Sequence, residues 1–445
     1  MNVPLILFSG LIGVFVLTLI NPFYAVTVFI FGHFVEPVQF FPYLREFDPS
    51  LLVGYVVLGA WILHVVFTGN FIPAKNKLVA IVLIFIVWTF LCTGMGTYET
   101  WHNQNMLIKN LIPFFIFVYM VQSRKQVIFT VWLLLIMGAI AAVYGMYCLK
   151  ANIGVSDHGI VRITSFMANP NAFGKTMAML IPIAICLMLS SYNKKVKLCL
   201  AFIVLLLITG VVMSYSRTSM IAMLFVLIFT PLMYYRGSKK IAALMITLMI
   251  LPGLYFFFPL DNVKWRAHNR LVTAFEAESM EEVDKGRVET AKAGWMMMLN
   301  NPLFGVGIGG FGHEYKQLAQ TSAELELVES RYGDRGLSAH NLYVQVGGQL
   351  GLAGLILYLY LLIYAYYILK RSEEIFHSTG DERLYTITRS YKIFILAFMI
   401  IGITSSGLGN KLFWIVIGFG IALHRLALEH HNKDNTENLS AGKEI

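Results

Sequence analysis

Long apolar stretches recur through most of this chain, and they constrain its fold more than any other feature. About 20 residues of α-helix cross the hydrocarbon core of a bilayer, and most of the stretches approach that length. They fall near residues 3–20, 23–41, 51–68, 78–95, 106–122, 127–149, 171–190, 198–213, 219–235, 241–258, 341–369, 391–407 and 412–427.

The composition excludes a soluble protein of this length. Of the 445 residues, 57% are hydrophobic and only 13% are charged, whereas soluble domains carry about 25% charged residues. We therefore expect an all-α polytopic membrane protein. It should have 12–13 transmembrane helices. The first two runs are separated only by Asn21-Pro22 and the last two only by residues 405–410, so one of these runs could be a re-entrant or interfacial segment that does not cross the membrane.

Basic residues lie in short loops between the apolar runs. Short cytoplasmic loops are enriched in Lys and Arg. If every apolar run crosses the membrane, the basic clusters near residues 75–77, 124–125, 194–197 and 236–240 lie on the same side of it. This side is predicted to be the cytoplasm. The net charge of +9 thus reflects the basic residues of cytoplasmic loops, and nucleic acid is not a predicted partner.

Residues 259–339 form the one long segment outside the apolar runs, and they are predicted on the opposite side. A helix is expected from Ser279 to Asn300, because Ser279 can cap it and Pro302 follows its end. Five glycines between residues 305 and 312 predict a tight turn. The chain then divides into a transmembrane bundle at 1–258, an external helical loop at 259–339, a C-terminal transmembrane part at 340–428, and a polar, disordered cytoplasmic tail at 429–445.

Arg217 lies in a polar island between two apolar runs, on the side opposite the basic clusters. An arginine at a membrane boundary often only extends its charged end to the interface. Here four neighbouring Ser and Thr residues surround it, and charges near apolar spans are candidates for function. A guanidinium beside helix-end amides is suited to binding phosphate.

Arg287 and His340 are further candidates on the same side of the membrane. Arg287 is an ordinary charged residue of an amphipathic helix unless that helix lies at the headgroup level. His340 stands where the external loop re-enters the membrane. It either packs or caps the helix that follows, or it acts as a general base on a substrate hydroxyl.

No metal site and no cofactor is predicted. His, Cys, Asp and Glu show no metal-ligand spacing, and the chain lacks a Gly-rich phosphate loop with a following Lys and Ser or Thr.

Four segments together resemble the O-antigen ligase/polymerase superfamily. They are FMANPN at 166–171, SYSRT at 214–218, Gly286-Arg287 with WMMMLNNPLFGVG at 295–307, and HNLYVQ at 340–345 followed by GLAG at 351–354. Their order, and the long loop between Arg217 and His340, also resemble the family. The chain departs from it at residues 347–351, GGQLG, where many relatives place a Glu.

The resemblance implies a C-type glycosyltransferase-like architecture in a bacterial inner membrane, with the active site facing the periplasm. The donor would be a glycan on a polyprenyl (undecaprenyl) diphosphate carrier, and the acceptor a hydroxyl of lipid A-core or another glycan, with membrane lipids around both. Arg217 and Arg287 would bind the diphosphate without a metal, and His340 would remove the acceptor proton. Supporting residues would be Ser216, Asn341, Asn169 and Asn171.

Three functions remain open at this point. A ligase would attach the glycan to lipid A-core in lipopolysaccharide biosynthesis, whereas a polymerase of the same superfamily would add it to another lipid-linked repeat. A flippase or secondary transporter belongs to a different class, which typically shows internal repeats and broken midplane helices. The sequence has no evident internal repeat, and its 259–339 loop is large for such a carrier.

Overall fold

A computed structural model describes residues 3–36, 41, 44, 48–69, 76–95, 100–157, 160–167, 169–191, 193–235, 237–241, 244–245, 285–322, 325, 337–406, 408 and 410–441. These residues form α-helices and one short β-hairpin. The helices are α1 (Val3–Ile20), α2 (Phe23–Phe34), α3 (Pro49–Thr68), α4 (Lys77–Met95), α5 (Thr100–Met120), α6 (Arg124–Lys150), α7 (Pro170–Ser190), α8 (Lys194–Met213), α9 (Arg217–Tyr234), α10 (Lys285–Asn300), α11 (Phe311–Thr321), α12 (Leu342–Ser378), α13 (Glu382–Ile401) and α14 (Lys411–Ala441). The hairpin strands are β1 (Val155–Asp157) and β2 (Ile160–Arg162).

Nine helices in the described ranges are long and apolar enough to cross a membrane, namely α3, α4, α6 to α9 and α12 to α14. Shorter apolar helices lie at Phe8–Ile20, Phe23–Phe34 and Leu107–Met120. Each of these helices coincides with a predicted apolar run, and the remaining run, at 241–258, lies almost wholly outside the described residues. The prediction of an all-α polytopic membrane protein is confirmed.

The bundle has a buried centre and an apolar periphery. α13 and α14 are the most buried spans and α3 is the least. Trp414 and Tyr391 are fully enclosed, whereas Phe67 and Leu198 are largely exposed. Large apolar side chains on the outside of a protein are stable in contact with lipid tails, so this arrangement fits a membrane environment.

α12 is broken at Gly351, whose φ of 72° and ψ of −179° are not helical. A Cβ at this position would lie 2.2 Å from the carbonyl oxygen of Leu303. The predicted glycine-rich turn packs here, and its Gly305 also has a positive φ of 64°. The backbone groups freed by the break are satisfied by neighbours: Leu352 N donates to Pro302 O at 2.7 Å, and Trp88 Nε1 donates to Leu350 O at 3.1 Å.

The helices α10 and α11 pack on the first part of α12. Gly294 of α10 lies against Val344, and a small separate core contains Met297, Phe311 and Tyr315. The predicted end of this helix at Asn300 is confirmed, whereas its predicted start, with the cap at Ser279, lies outside the described residues. α10 is therefore fixed to the membrane bundle rather than being an independent loop element.

Two local features differ from the sequence-based expectations. The β1–β2 hairpin was not expected in an all-α protein, but Val155, Ile160 and Val161 are β-branched residues that favour strands. The final helix continues through Ala441, which corrects the expectation of a disordered tail for residues 429–441. His430 packs edge-on against Phe376 at a ring-centroid distance of 5.8 Å, and this contact ties the beginning of the tail to α12.

Candidate functional site

A polar cavity of about 610 Å³ lies where α7, α9 and α12 begin and α13 ends. This end of the bundle is opposite the basic residues 194–197, since α8 starts with them and finishes at Met213 beside the cavity. The lining residues are Asn169, Asn171, Ala172, Lys175, Thr218, Arg287, Ser338, His340, Thr404, Ser405 and Ser406. Among the lining residues that the structure describes, none is a carboxylate.

The start of α7 supplies two of the predicted supporting residues. Asn169 is the N-cap, and its side-chain oxygen accepts from Asn171 N at 2.7 Å. Pro170 follows at the first helical position, where a missing N–H has no cost. Arg162 of β2 donates from Nη2 to Asn171 Oδ1 at 2.7 Å and from Nε to Ser214 O at 3.3 Å. The hairpin thus joins the start of α7 to the end of α8.

The start of α9 is built from buried hydroxyl groups. Ser216 is the N-cap, and its oxygen accepts from Ser219 N at 3.4 Å and from the Ser219 hydroxyl at 2.9 Å. Gly174 of α7 lies directly against Ser214 and Ser219, so a Cβ there would clash with both. Ser216 therefore lies in the packed helix junction and is not one of the residues that line the cavity.

Arg217 is the first residue of α9, and it is exposed. It is not among the lining residues, although the next residue, Thr218, is. Arg287 is partly buried and lines the cavity from the first turn of α10. The structure therefore brings Arg287 together with His340, Asn169 and Asn171. Arg217 does not line the cavity, but it is the neighbour in sequence of the lining residue Thr218.

His340 is exposed, lines the cavity and has a positive φ of 50°. The helix after it is capped by Asn341, whose side-chain oxygen accepts from Tyr343 N at 3.0 Å and Val344 N at 3.1 Å. This geometry corrects the alternative in which His340 caps a helix beginning at Asn341. The backbone around it is held by Leu342 N, which donates to Gly402 O at 2.7 Å.

Sequence reasoning missed Lys175 and residues 404–406. The Lys175 ammonium donates to the Ser405 hydroxyl at 2.9 Å, and Ser406 donates to Ser338 at 2.9 Å. Thr218 Oγ1 contacts Thr404 O at 3.5 Å. One signal was available, because a lysine inside an apolar run is a functional candidate by default. Residues 405–410 were interpreted only as a break between two spans.

The cavity is suited to a polyanionic, hydroxyl-bearing ligand. Arg287 and Lys175 contribute fixed positive charge, while Ser, Thr and Asn side chains provide donors for phosphate or sugar oxygens. In the described part of the chain, no group of three or more His, Cys, Asp or Glu side chains could hold a metal ion. Arg287 and Lys175 are the Arg and Lys side chains among the described lining residues, and either could neutralise a bound anion.

A comparison with protein families found a similarity that covers part of the chain. The family model described as O-antigen ligase matches residues 201–359, a region that contains Arg217, Arg287 and His340. Lys175 and Ser405 lie outside the matched region. No curated protein matches the chain. The match shows that this part of the multi-pass membrane protein is similar to O-antigen ligases, and it supports glycan processing of the ligase or polymerase type.

Proposed function

We propose that the protein transfers a glycan from a polyprenyl diphosphate carrier to an acceptor hydroxyl, as an O-antigen ligase does. The observation that carries the proposal is the cavity that brings Arg287 and His340 together without a carboxylate among its described lining residues. A site for a diphosphate leaving group needs cations, and a site for hydroxyl attack needs a base.

In the proposed reaction, the acceptor oxygen attacks the anomeric carbon of the donor glycan. The bond between this carbon and the diphosphate oxygen breaks, and the acceptor proton passes to the neutral imidazole of His340. Arg287 and Arg217 stabilise the negative charge that develops on the leaving polyprenyl diphosphate. The sugar–diphosphate bond is already activated, so neither a nucleotide nor a metal enters the scheme.

The proposed location is a bacterial inner membrane with the cavity facing the periplasm. Its support is the position of the cavity at the end of the bundle opposite residues 194–197, since basic short loops remain cytoplasmic. Single cysteines at positions 320 and 238 should be labelled by a membrane-impermeant reagent from the periplasmic and cytoplasmic sides, respectively. Labelling of both from one side would contradict this orientation.

Reconstitution tests the reaction and identifies the acceptor. Purified protein in vesicles is given a polyprenyl diphosphate-linked glycan together with lipid A-core or a second lipid-linked repeat, and glycan transfer is measured. A ligase should use lipid A-core, and its deletion should leave unattached polymeric glycan in cells. Transfer to the second repeat, with single repeat units in the deletion strain, would indicate a polymerase. Failure with both acceptors would contradict the proposal.

A further inference from the structure

Lys175 lies on the wall of the cavity formed by the first turns of α7. It follows Asn171 by four residues, which places both side chains on the same face of the helix. Both residues line the cavity. Lys175 belongs to a different helix from Arg287, so two cations approach the same space from separate elements of the fold.

The surroundings of Lys175 satisfy its charge only in part. Its side chain is partly buried and donates to the neutral hydroxyl of Ser405. Within the described ranges, Lys175 forms no ion pair with a carboxylate. An ammonium has three donor hydrogens, and moving it out of bulk water is costly unless an anion compensates. The site is therefore favourable for a negatively charged oxygen beside Lys175.

The geometry points to Lys175 as a further donor-binding residue that contacts the diphosphate of the lipid-linked glycan. This inference rests on the function proposed above. Ser405 holds the ammonium in the absence of ligand, and a phosphate oxygen takes the place of this hydroxyl when the donor binds. The alternative is a structural role, in which the Lys175–Ser405 hydrogen bond fixes the segment after α13 to the start of α7.

Two variants distinguish these roles. Both remove the hydrogen bond between Lys175 and Ser405, one by replacing the donor and the other by replacing the acceptor. Purified protein is titrated with undecaprenyl diphosphate in detergent, and the dissociation constant is measured. Lys175→Met should weaken binding roughly 10- to 100-fold, which corresponds to the loss of a charge-assisted hydrogen bond. Ser405→Ala removes the same hydrogen bond but keeps the ammonium, so it should weaken binding much less than Lys175→Met does. Equal weakening in both variants would show a structural role.

A second measurement uses the unmodified protein and does not depend on the folding of a variant. Reductive methylation of lysines is followed by mass spectrometry, with undecaprenyl diphosphate or undecaprenol present. The diphosphate should slow modification of Lys175 several-fold relative to undecaprenol. Lys411, which is partly buried but outside the cavity, serves as the internal control and should react alike with both. Equal reactivity of Lys175 with both lipids would overturn the inference.

Arg287→Gln makes failure of this inference distinguishable from failure of the proposed function. If Arg287→Gln weakens undecaprenyl diphosphate binding and Lys175→Met does not, the donor site stands and the role of Lys175 is wrong. If neither variant changes the dissociation constant, the diphosphate site itself is contradicted.

Discussion

Basic side chains have different partners in the cavity and in a charged cluster at the opposite end of the bundle. In this cluster, Glu373 of α12 pairs with Arg389 Nε at 2.7 Å and also with Lys392. In the cavity, the ammonium of Lys175 contacts a serine hydroxyl, and no described lining residue is a carboxylate. The difference separates basic side chains that are paired with a carboxylate within the protein from Lys175, whose surroundings favour an external anion.

The charged cluster and the cavity also differ in the backbone groups that lie near their basic side chains. Arg389 donates to Tyr234 O at 3.2 Å and lies over the ring of Tyr385 at 4.4 Å, so the cluster joins the end of α9 to α13. The cavity instead lies at the starts of α7, α9 and α12, and the positive end of a helix dipole favours a bound anion. We therefore expect substitutions in the cluster to change stability and substitutions in the cavity to change binding or transfer.

The largest effect on activity is expected from His340→Asn. The left-handed backbone at this position suits Asn better than most residues, so the variant should keep the local fold while losing the proposed base. Transfer should fall roughly 10²- to 10⁴-fold, with nearly unchanged donor affinity. The measurement is the in-vitro transfer rate beside the dissociation constant of the donor. Transfer at the normal rate would leave the base unidentified.

Activity of the unmodified protein should also fall on acidification, because only a neutral imidazole accepts a proton. The rate of glycan transfer measured over a series of pH values tests this expectation, and a rate that does not fall in acid would contradict the role of His340 as the base.

Glu373→Gln is expected to have the largest effect on stability. It leaves Arg389 and Lys392 in a buried position without a carboxylate, a change that typically costs about 3–5 kcal/mol. The midpoint of thermal unfolding in detergent should fall, whereas donor affinity at the temperature of the assay should remain close to normal. The control is Glu374→Gln, since Glu374 is exposed and its 4.0 Å pair with Lys370 contributes little. Equal unfolding midpoints for the two variants would contradict the stabilising role of the charged cluster around Glu373.

Arg287→Lys and Arg217→Lys should each weaken donor binding about tenfold, because an ammonium does not reproduce the two parallel donors of a guanidinium. Titration with undecaprenyl diphosphate measures this effect, and accumulation of protein in the membrane shows that folding is intact. Arg383→Lys, at an exposed position of α13 far from the cavity, is the matched control. Normal transfer rates in both cavity-side variants would contradict the diphosphate role.

A smaller effect is expected from Asp381→Asn at the start of α13. Burial alone would raise the pKa of Asp381, but hydrogen bonds from Arg124 and from Leu384 N, together with the Arg124 charge, lower that pKa below its usual value. Asn retains the N-cap and removes the ion pair, whose Arg124 partner is exposed enough to limit its contribution to about 1 kcal/mol or less.

The pH dependence of this variant follows from the lowered pKa. The ion pair stabilises the folded protein above the ordinary carboxyl pKa of about 3.9, and this contribution is lost as the pH falls through the lower folded-state pKa. The difference in unfolding midpoint between Asp381→Asn and the unmodified protein should therefore persist at pH 5 and shrink only in stronger acid. A difference that vanishes between pH 7 and pH 5 would contradict the assignment.

Much of the fold and part of the site were predictable from the sequence. Hydropathy identified the spans because lipid requires long apolar helices whose backbone groups are satisfied internally. Short motifs identified Arg287, His340, Asn169 and Asn171, all of which line the cavity. Lys175 escaped notice because its partner, Ser405, is 230 residues away in sequence, and no local pattern links the two.

The sequence by itself determined the membrane class, the positions of most helices and the residue types available for binding an anion, because these depend on composition and local periodicity. Tertiary structure decided which of those residues share one space. It brings Lys175 and residues 404–406 to Arg287 and His340, and it places Thr218 rather than Arg217 on the wall of the cavity. Packing between distant helices sets these relations, as the break at Gly351 against Leu303 illustrates, and local sequence carries no direct record of such contacts.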